Sequence, residues 1–210
     1  MKERRDPAQL SRPKMLAVMI AQAAVFTAVG AGIWALSGRA LADFVTVDGG
    51  QVLVGLAIAA AMIASAAAIC FGSPTLSRKL VRTQEKLFGL FGGRLSLTAI
   101  IVISLCAGIG EEALFRGGLQ TLAGDYVPMP LAIALSSILF TAIHMARPLV
   151  MALIFAIGCL FGWLYWQTGS LLAVMIGHAI YDVFALWYVQ RELDGMGFYD
   201  AQADEAASDP

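Results

Sequence analysis

The sequence predicts an all-α integral membrane fold, a bundle of about six transmembrane helices with one interfacial amphipathic helix, and three observations support it. The chain of 210 residues is 59% hydrophobic and 14% charged, against about 45–50% and about 25% in ordinary soluble domains. Its mean hydropathy is +0.76. The apolar residues fall into runs long enough to cross a ~30 Å hydrocarbon core, which takes about 20 helical residues. The net charge of −1 provides no basic field for nucleic acid and no acidic field for a cationic partner.

Six runs qualify as spans: 15–36, 52–71, 97 to about 122, 130–145, 149–167 and 171–190. The third is apolar as far as Gly110 and then carries Glu111, Glu112 and Arg116 before apolar character returns. Residues 1–210 read as one membrane domain, with a core at 97–190 and polar tails at 1–14 and 191–210; no internal repeat is apparent. Lys2, Arg4, Arg5, Arg12 and Lys14 precede the first span, so the positive-inside rule predicts a cytoplasmic N-terminus. Six crossings return the C-terminus to the same side. The first run is as long as a full span and lacks a small-residue cleavage site, so it is expected to stay as a span. The last four residues are not a prenylation signal.

Between the second and third runs, residues 76–91 interleave Arg78, Lys79, Arg82 and Lys86 with Leu80, Val81, Leu87 and Phe88. A basic amphipathic stretch of this kind is expected to lie on the inner membrane surface. The GxxxG pair Gly158 and Gly162 lets another helix approach closely; a contact within the chain is expected, with a homodimer as the alternative. Cys70, Cys106 and Cys159 sit in apolar runs with neither disulfide nor metal-site spacing and read as packing thiols. The acidic end, 200–210, reads as a tail.

The informative residues are the ionisable ones within or at the edge of the spans: Glu111, Glu112, Arg116, His144, His178 and Asp182. A charge at membrane depth costs about 2.5–3.5 kcal/mol on insertion scales and faces the bundle interior or a wet cavity. Glu112 and Arg116 are four apart, share a helix face and can neutralise one another. Glu111 lies about 100° round the helix and has no cation at that spacing. It is therefore the candidate for proton-transfer chemistry, and Glu112 for structure. His178 and Asp182 are also four apart, so the carboxylate can orient the imidazole. His144 follows Phe140 by four residues, just before Arg147 and Pro148. Helix rise puts it about 22 Å from the start of its run and His178 about 12 Å from the start of its own, a depth difference of about 10 Å if both begin on the same face.

Glu111-Glu112-Ala113-Leu114-Phe115-Arg116-Gly117, Phe140-xxx-His144 and His178-xxx-Asp182 resemble, in order, the EExxxR, FxxxH and HxxxN/D motifs of a known family. This is the CAAX prenyl endopeptidase and bacteriocin-processing (CPBP, or Abi) family of glutamate intramembrane proteases. The similarity spans about 97–190 and extends to the segment from Tyr165 to Ser170. It implies a water-accessible cavity among core helices, with Glu111 and His144 activating a water. His178 and the residue at Asp182 would stabilise the oxyanion, and Glu112 and Arg116 would hold the site together. No metal or cofactor is implied. Where some members carry Asn, this chain has Asp182, which donates a hydrogen bond only when protonated.

The expected activity is thus intramembrane peptide hydrolysis in a prokaryotic cytoplasmic membrane, on a peptide or membrane-protein substrate such as a leader peptide. Four alternatives stand beside it. A zinc hydrolase has two His and two Glu available but no HExxH. Ser136 and Ser137 lie near His144 without a nucleophile elbow. A proton-coupled transporter would use the same residues as a relay, and a non-catalytic scaffold or immunity-type protein would keep them for stability.

Overall fold

The computed structural model describes residues 11–202. Lys2, Arg4, Arg5 and the acidic end beyond 202 lie outside the described residues. Among the described residues every regular element is helical: α1 (Arg12–Leu36), α2 (Gly49–Gly72), the short α3 (Pro74–Thr83) and α4 (Glu85–Leu90), α5 (Leu97–Gly124), α6 (Met129–Ile143), α7 (Pro148–Thr168) and α8 (Leu171–Gly195), with a 3-10 turn at Leu41–Asp43.

Local chemistry explains the boundaries. Asp48 caps α2, its Oδ1 accepting from the backbone N–H of Gly50 at 2.7 Å and of Gln51 at 3.0 Å. Ser96 and Ser170 accept from Ala99 and Ala173 in the same way at the heads of α5 and α8. Such caps satisfy N–H groups that have no partner within the helix. Pro13, Pro130 and Pro148 occupy first-turn positions in α1, α6 and α7, where the missing N–H carries no penalty. α7 ends at Gly169, whose φ of +62° is the left-handed conformation that glycine adopts without strain.

Five helices are long and apolar enough to cross a membrane: α1, α2, α5, α7 and α8. The expected sixth, α6, has 15 residues and rises only about 22 Å. Its apolar run continues to Met145 in the sequence, but the helix stops at Ile143. Pro148 excludes the α conformation from Arg147, which is extended (φ −65°, ψ 151°), and Met145 takes a positive φ of 40°. The outer sides of the long helices are apolar, as at Val25, Leu53 and Trp163, which suits a hydrocarbon surround rather than water. α5 and α8 bury the largest share of their spans, 39% each, and α1 the smallest, 6%. The two helices that carry five of the six ionisable residues, all but His144, are therefore central.

Side-chain bonds define two polar ends. At one, Arg94 at the head of α5 pairs with Asp194 at the foot of α8 and its carbonyl accepts from Arg12 of α1. Gln190 accepts from Leu95 N–H at 2.6 Å and donates to Leu95 O at 3.1 Å. At the other end, Arg39 pairs with Asp125 at 2.5 Å, and Ser170 donates to Gln51 at 3.0 Å. α1 thus begins, and α8 finishes, at the same end of the bundle.

The amphipathic stretch 76–91 is two helices broken at Gln84 rather than one. Ser77, Val81 and Phe88 face inward, where Val81 and Phe88 pack with Tyr188, Leu193 and Tyr199 and the Ser77 hydroxyl meets that of Tyr188 at 2.8 Å. Arg78, Lys79, Arg82 and Lys86 remain exposed. Close approach of α1 to the middle of α5 depends on Gly30, where a Cβ would lie 2.2 Å from the carbonyl oxygen of Ala113. The three cysteines are free and half-buried.

Candidate active site

The site forms where α5 changes its winding. Up to Glu112 it is α-helical, and from Ala113 to Gln120 it is a π-helix, a widened form that is rare and concentrates at functional sites. The four-residue spacing still joins Glu112 to Arg116. Oε2 lies 3.2 Å from Nε, and both side chains are fully buried. Arg116 also donates through Nη2 to the carbonyl of Gly158 at 2.9 Å, and its guanidinium lies 4.8 Å from the centre of the Phe140 ring. The buried cation is thus held by a carboxylate, a carbonyl and an aromatic face, which compensates for removing it from water.

His178, on α8, is the hub. Its Nδ1 lies 2.8 Å from Oε1 of Glu112, a bond that links α5 to α8. Its Nε2 faces two other carboxylates, Asp182 Oδ2 at 3.5 Å and Glu111 Oε2 at 3.9 Å. The ring stacks on Phe161 of α7, with centroids 5.0 Å apart and planes at 22°. Exposure rises outward from this centre: the side chain of Glu112 is 0% accessible, His178 6%, Glu111 12% and Asp182 26%. Glu111 and Asp182 are therefore the carboxylates within reach of a substrate or a water, and His144 is itself exposed.

His144 caps the end of α6. Its Nδ1 donates to the carbonyl of Phe140 at 2.7 Å, so its Nε2 is the nitrogen left to accept a proton. No hydrogen bond or ion pair joins it to Glu111 among the described residues. Phe140 lies between the two histidines, its ring centre 4.7 Å from that of His144 and 6.4 Å from that of His178. Five of the six expected residues, Glu111, Glu112, Arg116, His178 and Asp182, are in direct contact. His144 joins them through Phe140.

The sequence reading missed several features. The bond from Glu112 to His178 depends on where α5 crosses α8, and no spacing encodes that. The role of Gln120 was within reach: its Nε2 donates to Gly162 O at 2.9 Å, so Arg116 and Gln120, four apart, match the carbonyls of Gly158 and Gly162, also four apart. The GxxxG pair is thus used inside the chain. Ser136 donates to the carbonyl of Ile133 at 3.1 Å in its own helix, and Ser137 packs against Gly158, so neither is placed as a partner for His144. Among the described residues no three His, Cys, Asp or Glu side chains are arranged to hold a metal ion.

Comparison with known proteins agrees with the motifs. Residues 93–184 match the family model described as type II CAAX prenyl endopeptidase, Rce1-like. An uncharacterized protein of Bacillus subtilis (strain 168), YpbD, is 36% identical over 94 residues, which is 43% of this chain and 46% of that protein. The alignment thus spans less than half the length of this curated relative. No solved structure matches the chain.

Proposed function

We propose, from the match of residues 93–184 to the type II CAAX prenyl endopeptidase family model, that the chain is an intramembrane endopeptidase of the glutamate type, which cuts a membrane-proximal peptide bond without a metal. The supporting observation is the meeting of Glu111, Glu112 and Asp182 around the single imidazole of His178. Placing three carboxylates and an imidazole in apolar helices carries a large cost that structure alone does not require. Glu111 is the general base that takes a proton from the attacking water, with Nε2 of His144 assisting. His178 faces the oxyanion, and Asp182 joins it when protonated. Glu112 and Arg116 hold the pair of helices in register.

In the membrane, α6 acts as a sixth, short crossing. The break at 144–147 then lies at membrane depth, where irregular backbone is tolerated only if it lines a wet cavity. Both termini are cytoplasmic in this arrangement. The end that α1 and α8 share carries Arg12, Arg94 and Arg191 together with the cationic face of α3 and α4, whereas the other end has Arg39 paired with Asp125. α3 and α4 lie along the inner surface, their cationic side chains toward the headgroups. A leader peptide or a regulatory membrane protein suits such a site as substrate.

The test is cleavage of membrane-protein substrates by purified protein in liposomes. Glu111→Ala is expected to abolish cleavage while the protein still inserts and keeps its melting temperature. Full activity in Glu111→Ala, with or without chelator, would end this reading.

A further inference from the structure

Glu112 has more to do than neutralise Arg116. Its Oε2 is turned to Arg116 Nε and its Oε1 to Nδ1 of His178, 3.2 and 2.8 Å away. A carboxylate only accepts, so a nitrogen at hydrogen-bond distance from it carries a hydrogen; Nδ1 meets that condition with Glu112, whereas Nε2 lies 3.5 Å from Asp182 and 3.9 Å from Glu111, beyond ordinary hydrogen-bond distance. We infer that Glu112 is a positioning residue that fixes a proton on Nδ1 of His178, leaving Nε2 as the nitrogen that gains and loses a proton toward Glu111 and Asp182. This rests on the endopeptidase reading only for its consequence; the protonation pattern follows from the contacts alone.

Phe161 covers one face of the imidazole, Glu112 takes one edge, and Glu111 and Asp182 share the other. Arg116 is directed to Glu112, Gly158 and Phe140. Nε2 thus has no partner at ordinary hydrogen-bond distance among the described residues, which makes it the nitrogen free to exchange a proton. Neutral His178 presents a lone pair there and becomes a donor only after taking up a second proton. In peptide hydrolysis that proton comes from the attacking water. Glu111 removes it as the water oxygen bonds to the carbonyl carbon, and Nε2 receives it from Glu111, whose 3.9 Å separation is about 1 Å beyond hydrogen-bond distance. The imidazolium then faces the oxyanion and returns the proton to the departing nitrogen as the C–N bond breaks. Glu112 balances the positive charge meanwhile, the part a buried carboxylate plays behind a catalytic imidazole.

The chain has two histidines, so selective 15N labelling of imidazoles in the full-length protein resolves both, and His144→Gln assigns them. In the wild type, His178 is expected to keep Nδ1–H at every pH, with only the Nε2 resonance responding to titration. A neutral His178 with its hydrogen on Nε2 would overturn the assignment, and the wild-type spectrum alone decides this. In Glu112→Leu/Arg116→Leu, which removes both buried charges together, the Nδ1–H preference is expected to be lost. Its persistence would show that Glu112 does not set it. The spectra need no turnover, so failure of the endopeptidase reading in the cleavage assay remains a separate result.

Discussion

The guanidinium of Arg116 donates to the carbonyl of Gly158 at 2.9 Å, and one turn on, Gln120 donates to Gly162 at the same distance. A carbonyl inside an α-helix already accepts one backbone N–H and has a second lone pair to offer. Two glycines leave those lone pairs uncovered, and the π-helical segment of α5 supplies two donors in register with them. The ladder couples α7, which carries Phe161, to the segment that carries Arg116. It holds the imidazole's stacking surface and the ion pair in one frame.

The ladder predicts an asymmetric glycine scan. A Cβ at Gly162 would sit 2.7 Å from Oε1 of Gln120, whereas one at Gly32 meets nothing within 4 Å. Gly162→Ala is expected to destabilise by about 1–3 kcal/mol, the usual range for overpacking. Gly32→Ala, in the interior of α1, should be stabilising by about 0.5–1 kcal/mol. Thermal unfolding in detergent followed by circular dichroism measures both, and equal melting temperatures would show that the ladder has room to spare.

Glu112 and Arg116 are each fully buried, so losing Arg116 leaves Glu112 with the His178 ring as its one remaining partner among the described residues. Arg116→Met is expected to destabilise by about 3–5 kcal/mol, the usual cost of breaking a buried ion pair from one side. Glu112→Leu/Arg116→Met should recover a large part of that loss, because neither charge is left uncompensated. Unfolding midpoints for the two variants give the comparison. A double variant less stable than Arg116→Met alone would mean that the bond from Glu112 to His178 outweighs the ion pair in stability.

How much of this was legible in the sequence depends on distance along the chain. The pairs Glu112–Arg116 and His178–Asp182 lie within one helix, and the 3.6-residue period is enough to join them. The bundle itself follows from composition and run length. The length of α6 did not follow, because hydropathy continues through Ile143 and Met145 while the backbone turns there under the constraint of Pro148. Nor did the contact of Glu112 with His178, 66 residues apart, since helix crossing is set by small residues such as Gly108, where a Cβ would meet Ala179 at 2.7 Å. The amphipathic pattern at 76–91 was visible, but its anchor in Tyr188 and Leu193 lies over a hundred residues away.

At the end of the bundle away from Arg12 and Asp194, Arg39 holds the Asp125 carboxyl below the usual carboxylate range, chiefly through their hydrogen bond. A carboxyl depressed on folding contributes stability above its unfolded pKa of about 3.9, and that contribution fades as pH falls through the folded value. Wild type is therefore expected to exceed Asp125→Asn in stability at pH 6, with the gap closing below about pH 4. Hydrogen exchange of the backbone around 124–127 across that range measures it, and a gap independent of pH would exclude the ion pair as its origin.

Asp182 tests whether the outer carboxylate is needed as a charge or as a hydrogen-bonding group. Its Oδ2 lies 3.5 Å from Nε2 of His178, and it is the most accessible of the three carboxylates around that ring. An amide in its place can donate to a developing oxyanion without first being protonated, while an isosteric hydrocarbon cannot. Asp182→Asn is therefore expected to retain cleavage within about tenfold of wild type at neutral pH. Asp182→Leu should lose about 10²–10³ in kcat, the usual effect of removing one oxyanion donor. If Asp182→Asn is instead as inactive as Glu111→Ala, the negative charge itself is required. Asp182 would then belong with Glu111 as a proton acceptor for His178 rather than with the oxyanion.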